Sequence, residues 1–344
     1  MNIFTNTLLT VQFISKALST NREKGTCHLY VQKTAAEEIK KSYELNDGSI
    51  TRIHYLKIQW YMATTLYLGE VLSELRPEKL IETEKKSLIW LGALIAITDL
   101  IVDEFNMDSD KLTRLMTNEA ERSRSDLSAI EQVLLLYYRR LLTVISKEKA
   151  ETIHDFSLLK PQIDSQAQLS TGLTKETVME HTRKKGGTAL LLIASLLFDL
   201  TEKNKAAFYQ LGTFIQLMND SQDLPKDIRN GITTFISFQK SYKDIQKLLE
   251  EEFRKTAVLF HGSGFPEAGV FRLLFYFHAM LTGINYKLRS YSRITHNVMD
   301  ADKFRNTDKS KFSVHMFSPE SIIYCLPRVF KFTINLYKER APHS

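Results

Sequence analysis

The fold class of this chain is decided by one stretch, Leu88-Ile-Trp-Leu-Gly-Ala-Leu-Ile-Ala-Ile-Thr-Asp99-Leu-Ile-Val-Asp103. Apolar side chains point in almost every direction around such a helix, which predicts a buried helix. Asp99 and Asp103 are four residues apart and share one face. Buried carboxylates repel each other and are costly to desolvate, and a hard divalent cation would compensate them. The alternative is a helix end that emerges into solvent.

A second acidic stretch, Leu211–Gly231, repeats the arrangement. Apolar residues lead into Asn219 and Asp223, which share a face. Pro225 is expected to end or kink the helix near Asp223, so that Asp227 lies on a following turn. Carboxylate and amide oxygens that converge there would suit Mg²⁺. A solvated helix terminus followed by a loop is again the alternative.

The remainder of the chain predicts an all-α protein. Glycine (13) and proline (7) are rare among the 344 residues, and long stretches carry apolar residues at helical spacing. No linker divides the chain, so we expect one domain, 1–344, with a core at about 50–295. Capping patterns begin at Ser128 and at Ser318. The predicted helices are 4–19, 33–45, 50–75, 84–105, 126–148, 174–200, 203–224, 238–260, 266–296 and 319–338.

Composition limits the partners and the compartment. The net charge of +6 favours anionic ligands or an anionic membrane surface. Nucleic acid is not expected as a partner, because the sequence has no basic stripe interleaved with aromatic residues. Two cysteines, Cys27 and Cys325, are too few for a disulfide framework. With no signal-peptide pattern, we expect a cytoplasmic protein. Peripheral membrane contact and a homodimer both stay open.

The acidic stretches also resemble a known family. The run Gln216-Leu-x-Asn219-x-x-x-Asp223-x-x-x-Asp227-x-x-x-Gly231 is similar to the second aspartate motif of squalene and phytoene synthases, and Asp99-x-x-x-Asp103 resembles their first. More broadly, residues 50–295 resemble the class I terpenoid and isoprenoid synthases, including bacterial large-terpene synthases.

This resemblance implies a helical bundle around a central apolar cavity, with the two motifs facing each other across it. It implies Mg²⁺, typically three ions, that grip the diphosphate of a prenyl diphosphate substrate. The implied metal ligands, with the two DxxxD pairs as catalytic residues, are Asp99, Asp103, Asn219, Asp220, Asp223 and Asp227.

Other residues are predicted to bind the substrate. Arg183 and Lys185 precede Gly186-Gly187, a pair that can kink a helix and free backbone donors for a diphosphate, although a helix end with a glycine cap would look the same. Arg229 is a second basic candidate. Small residues below Asp99 leave room for a hydrocarbon tail or for close helix packing. The predicted substrate-binding set is Arg183, Lys185, Gly186, Arg229, Gln216, Ala96 and Gly92.

The reaction itself is left open by the sequence. Between the motifs, His181–Leu190 replaces the Tyr-x-x-x-Val-Ala-Gly stretch of the head-to-head synthases. We therefore favour a terpene synthase that ionises one allylic diphosphate, followed by cyclisation or elimination. A prenyltransferase that joins two diphosphates and a non-catalytic protein that binds prenyl lipids or a partner helix are the alternatives. One Glu151-x-x-His154 lacks the second copy that a di-iron bundle requires.

Overall fold

The computed structural model describes residues 25–105, 109–154, 173–299, 301–314 and 318–338. Within these ranges the chain forms helices and turns and no strand, which confirms the all-α prediction. The predicted helix 4–19 lies outside the described residues.

Thirteen helices have both bounds in the described ranges, and residues 25–34 are helical as well. The helices are α1 (Ala36–Glu44), α2 (Arg52–Leu72), α3 (Glu82–Asp103), α4 (Ser109–Thr117), α5 (Glu119–Arg122), α6 (Ala129–Leu142), α7 (Lys147–His154), α8 (Lys175–Leu197), α9 (Glu202–Asn230), α10 (Tyr242–His261), α11 (Glu267–Ile294), α12 (Ala301–Asn306) and α13 (Pro319–Lys338).

The described residues divide into two compact units. We call 25–154 with 188–201 the N-terminal unit, and 173–187 with 202–338 the C-terminal unit. That the whole chain is one domain with its motifs around one cavity stays a prediction of the sequence.

In the N-terminal unit, α3 is the central helix and packs against α2 and α6. Every residue from Ser87 to Val102 is buried except Ile95, which confirms the prediction of a helix buried on nearly all sides. The cost of ordering such a helix is offset by apolar burial on every face, at about 25 cal/mol per Å² removed from water. None of the described helices is both long and apolar enough to cross a membrane.

In the C-terminal unit, α9 packs against α10, α11 and α12. It continues through Pro225, so the predicted break near Asp223 is wrong. A proline removes one backbone hydrogen bond, and the surrounding packing outweighs that loss because Leu224 and Pro225 are both buried. The helix ends at Asn230, and the next residue, Gly231, has a φ of 71°, the left-handed conformation that closes helices.

Local capping follows the sequence where the pattern was recognised. The Glu131 carboxylate accepts a hydrogen bond from the Ser128 backbone N–H at 2.7 Å, as a capping box requires. The Ser321 N–H donates to the Ser318 hydroxyl at 3.2 Å, and Pro319 is the first residue of α13. Both predicted caps are therefore present.

Candidate functional site

The first acidic motif lies at the carboxyl end of α3. Asp99 is 6% exposed, and its Oδ2 atom lies 2.8 Å from the Lys57 ammonium of α2. The Tyr61 hydroxyl donates to the same oxygen at 3.4 Å. The buried charge that the sequence predicted is thus compensated within the protein itself, because Lys57 provides a cation at the carboxylate. Asp103 is the last residue of α3, and its side chain lies outside the described part.

Sequence reasoning missed the residues of α2 that accompany this motif. His54, Lys57 and Tyr61 recur at three- and four-residue spacing on a helix with many apolar residues, which is a signal of one polar stripe. The stripe meets α3, since the His54 ring lies 2.8 Å from the Glu104 carboxylate at the end of that helix. A second polar contact between α2 and the end of α3 therefore accompanies Lys57–Asp99.

The small residues below Asp99 pack against α2. A Cβ atom added to Gly92 would lie 2.7 Å from the Tyr61 carbonyl oxygen and 2.8 Å from the Met62 Cα atom. The expected space for a substrate tail beside Gly92 is therefore filled by the backbone of α2, because two helices can approach this closely only without a side chain between them. Ala96 is fully buried in the same helix.

The second acidic motif forms one face of α9. Since the helix is continuous, Asp220, Asp223 and Asp227 follow one another at three- and four-residue spacing. Asp220 is 6% exposed and Asp227 is 8% exposed, whereas Asp223 is half-buried. The Gln216 side-chain amide donates to Asp220 Oδ1 at 2.7 Å, so Gln216 orients this carboxylate. Asn219, the other predicted ligand, is exposed.

The electrostatics of this face are those of crowded, desolvated carboxylates. Burial raises the pKa of Asp220 to about 7, against which the Gln216 hydrogen bond and the positive charge of Lys185 act. Burial and the charge of Asp223 raise the pKa of Asp227 to about 6. The charges of Asp223 and Asp227 disfavour ionisation of Asp220, and the charge of Asp223 disfavours ionisation of Asp227, so a cation at this face would stabilise both ionised groups.

The contact between α8 and α9 explains how Lys185 reaches the acidic face. A Cβ on Gly186 would lie 2.3 Å from the Gly212 carbonyl oxygen and 2.6 Å from the Cβ of Gln216. The helices cross backbone to backbone here, which only glycines permit. Helix α8 runs through the glycine pair from Lys175 to Leu197, as the predicted helix 174–200 requires, so the alternative of a helix end at this pair is wrong.

The other predicted basic residues have varied surroundings. Arg183 is exposed. Arg229 donates to the carbonyl oxygens of Phe304 and Thr307, at 2.8 and 2.6 Å, and its guanidinium lies 5.1 Å from the centre of the Phe312 ring. Most of its contacts therefore secure the segment after α11, and the diphosphate contact predicted for it stays a prediction.

Two residues of α11, Lys287 and Tyr291, accompany the acidic face of α9. Tyr291 is buried and donates to the Gln222 carbonyl oxygen at 2.9 Å. Burial, with a smaller contribution from the charge of Asp223, raises its pKa. Burial lowers the pKa of Lys287, while Asp223 acts in the opposite direction. Asp223 thus lies within electrostatic reach of a partly buried cation and a phenol.

The donor set of α9 fits a hard divalent cation by its chemistry. Carboxylate oxygens are the ligands that Mg²⁺ prefers, and burial with mutual repulsion makes cation binding favourable here. In the described part of the chain, however, no three His, Cys, Asp or Glu side chains converge in a ready-made metal cluster. The carboxylates of α9 would have to share such an ion with water or substrate oxygens, as Mg²⁺ commonly does.

Comparison with known proteins gives similarity at the level of structure. No family model matches the chain, and no curated protein matches it. The chain is similar to a crystal structure of a dehydrosqualene synthase in complex with ligand, with a TM-score of 0.43 and 15% identity over 91% of this chain and 99% of that one. It is also similar to a geranyltransferase from Legionella pneumophila, with a TM-score of 0.40 and 14% identity over 79% of this chain and 99% of that one.

Proposed function

We propose that this protein is a magnesium-dependent isoprenoid synthase that ionises an allylic prenyl diphosphate. Asp220, Asp223 and Asp227 of α9 would hold Mg²⁺, with Asp99 and Asp103 of α3 as the second set of ligands. Cyclisation or elimination of one substrate is the favoured outcome, and the joining of two prenyl diphosphates is the alternative within the same class.

One observation carries this proposal: a continuous helix holds three closely spaced carboxylates, of which two are buried and have raised pKa values. Packing alone gives no reason to bury charge in this way, since each desolvated carboxylate is unfavourable unless it is compensated. Burial combined with mutual charge effects is typical of functional sites. The polar helix face is therefore best understood as a site that a cation and an anionic substrate complete.

The chain's own residues have distinct parts in this proposal. Gln216 orients Asp220, as its 2.7 Å hydrogen bond indicates. Lys185, whose charge acts on Asp220 and Asp227, would attract the substrate diphosphate. Lys287 would do the same beside Asp223. When bound, Mg²⁺ would supply Lewis-acid stabilisation of the departing diphosphate.

The experiment is diphosphate release from prenyl diphosphates of increasing chain length, with and without Mg²⁺, and mass spectrometry of the extracted products. Asp223→Asn should lower turnover by roughly a hundredfold or more, the scale for removal of preorganised charge stabilisation. Glu250→Gln, at an exposed position of α10, is the matched control and should leave turnover unchanged. Equal turnover of the wild type and the Asp223→Asn variant would refute the metal mechanism.

A non-catalytic prenyl-lipid-binding protein is the second candidate. The Lys57–Asp99 ion pair favours it, since that pair satisfies a buried carboxylate of the first motif without a metal ion. This candidate predicts that a prenyl alcohol binds with equal affinity in the presence of Mg²⁺ and of EDTA, and that no diphosphate is released. Magnesium-dependent product formation would exclude it.

A further inference from the structure

The N-terminal unit contains a second feature that the acidic motifs do not explain. A cleft of about 570 Å³ lies along α6 and the segment 122–127 before it. Its volume is in the range of small-molecule sites. Four arginines line it, together with leucines and a few neutral polar residues, and none of its lining residues is acidic. The arginines are Arg122, Arg124, Arg139 and Arg140.

Two of these arginines are held in place by carboxylates. The Arg140 Nε atom lies 2.7 Å from the Glu38 carboxylate, which is buried. Arg124 is paired with Asp126 at 2.6 Å and with Glu121 at 3.1 Å. These carboxylates occupy donors of Arg140 and Arg124, which leaves the other two arginines as the candidates for an anionic ligand.

The other two arginines have no carboxylate partner among the described residues. Arg122 donates to the Asn118 carbonyl oxygen at 3.5 Å, and its guanidinium lies 5.8 Å from the centre of the Tyr138 ring. Arg139 donates to the Arg122 carbonyl oxygen at 3.4 Å. Two guanidinium groups with unused donors therefore line one cleft, and their charge and donors favour an anion there.

The cleft also has an apolar surface, which is formed by leucines. Leu45, Leu127 and Leu136 line the cleft and are half-buried, so part of each side chain is in contact with water. Inorganic phosphate would leave this surface in contact with water. A ligand that carries a hydrocarbon group next to its anionic group would remove the leucine surface from water, which is favourable by about 25 cal/mol per Å² of apolar area.

We propose that this cleft is a binding site for a small anionic amphiphile, an organic phosphate with a hydrocarbon portion. The anionic group is bound by Arg122 and Arg139, and the hydrocarbon portion lies on the leucines. The site is independent of the carboxylates of α9 and needs no metal ion.

Isothermal titration calorimetry in EDTA tests the proposal with three probes. Octyl phosphate should bind more tightly than octyl glucoside, which has the same chain without the charge, and more tightly than inorganic phosphate, which has no chain. Arg122→Gln and Arg139→Gln should each weaken octyl phosphate binding roughly tenfold, as expected for a charged hydrogen bond. Arg254→Gln, an exposed arginine of α10, is the control.

Further variants guard against loss of folding and against confusion of the two sites. Arg122→Lys keeps the charge without the planar donor pair and should bind with intermediate affinity. Asp223→Asn should bind octyl phosphate as the wild type does, whatever its effect on turnover. Equal affinity for octyl phosphate and octyl glucoside, equal affinity for octyl phosphate and inorganic phosphate, or an equal loss in the Arg254→Gln control would each overturn the proposal.

Discussion

The contact between α8 and α9 allows a quantitative test through Gly212→Ala. The new Cβ would lie 2.2 Å from the Gly186 carbonyl oxygen, 1.2 Å short of the 3.4 Å at which ordinary contact begins. Its neighbour is backbone, so one helix must move away from the other. Such overpacking costs about 1–3 kcal/mol, while alanine in a helix interior gains about 0.5–1 kcal/mol over glycine. We expect a net loss of about 0–2.5 kcal/mol in the free energy of unfolding, which leaves the variant about 1–3 kcal/mol less stable than a glycine-to-alanine change without the clash.

Urea denaturation followed by far-UV circular dichroism measures this loss. Gly25→Ala is the control, since Gly25 is helical and exposed and a Cβ there meets nothing within 4 Å. It should show the gain of about 0.5–1 kcal/mol without the clash. If Gly212→Ala is as stable as Gly25→Ala, the close crossing of α8 and α9 is wrong, and with it the explanation of how Lys185 comes close to Asp220.

Three further predictions concern other parts of the chain. Lys57→Met should lower the free energy of unfolding by about 1–3 kcal/mol, because it leaves the buried Asp99 carboxylate without its cation. In a double-mutant cycle, adding Asp99→Asn to Lys57→Met should restore part of that loss. Burial lowers the pKa of His278 to about 4. Between about pH 6.5 and 4 only the unfolded chain is protonated at this residue, so stability falls as pH falls. In His278→Gln the urea midpoint should fall less over that pH range than in the wild type, and identical pH profiles would contradict this. Burial raises the pKa of the Cys325 thiol to about 11. At pH 8 this thiol should therefore react with a thiolate-specific reagent about a hundredfold more slowly in the native protein than in the urea-unfolded chain. Reaction of Cys325 in the native protein within the mixing time would contradict this prediction.

The sequence by itself determined the secondary structure and the chemistry of the acidic motifs. Helices follow from spacing between neighbours along the chain, and glycine and proline are rare enough for that spacing to persist. The burial of α3 follows from its composition, since a helix that is apolar on every side has no face for water. The spacing of Asp220 and Asp223 along one helix is likewise a local property of the sequence.

The tertiary structure decided what each of these residues contacts. Lys57 compensates Asp99 because α2 and α3 are neighbours, and no pattern within α3 contains that information. Because proline lacks a backbone N–H, Pro225 predicted a helix end near Asp223. In the structure the surrounding segment is buried and α9 is continuous, so Asp227 lies on the same helix.

Glycine shows the same division most clearly. The Gly186-Gly187 pair suggested a weak point in a helix, because glycine has no side chain to restrict its backbone. In the structure the missing side chain instead allows Gly186 to touch Gly212. The sequence shows which backbone conformations and contacts a residue can adopt. Packing between distant segments determines which of them occurs, because burial and close contact arise between segments rather than within them.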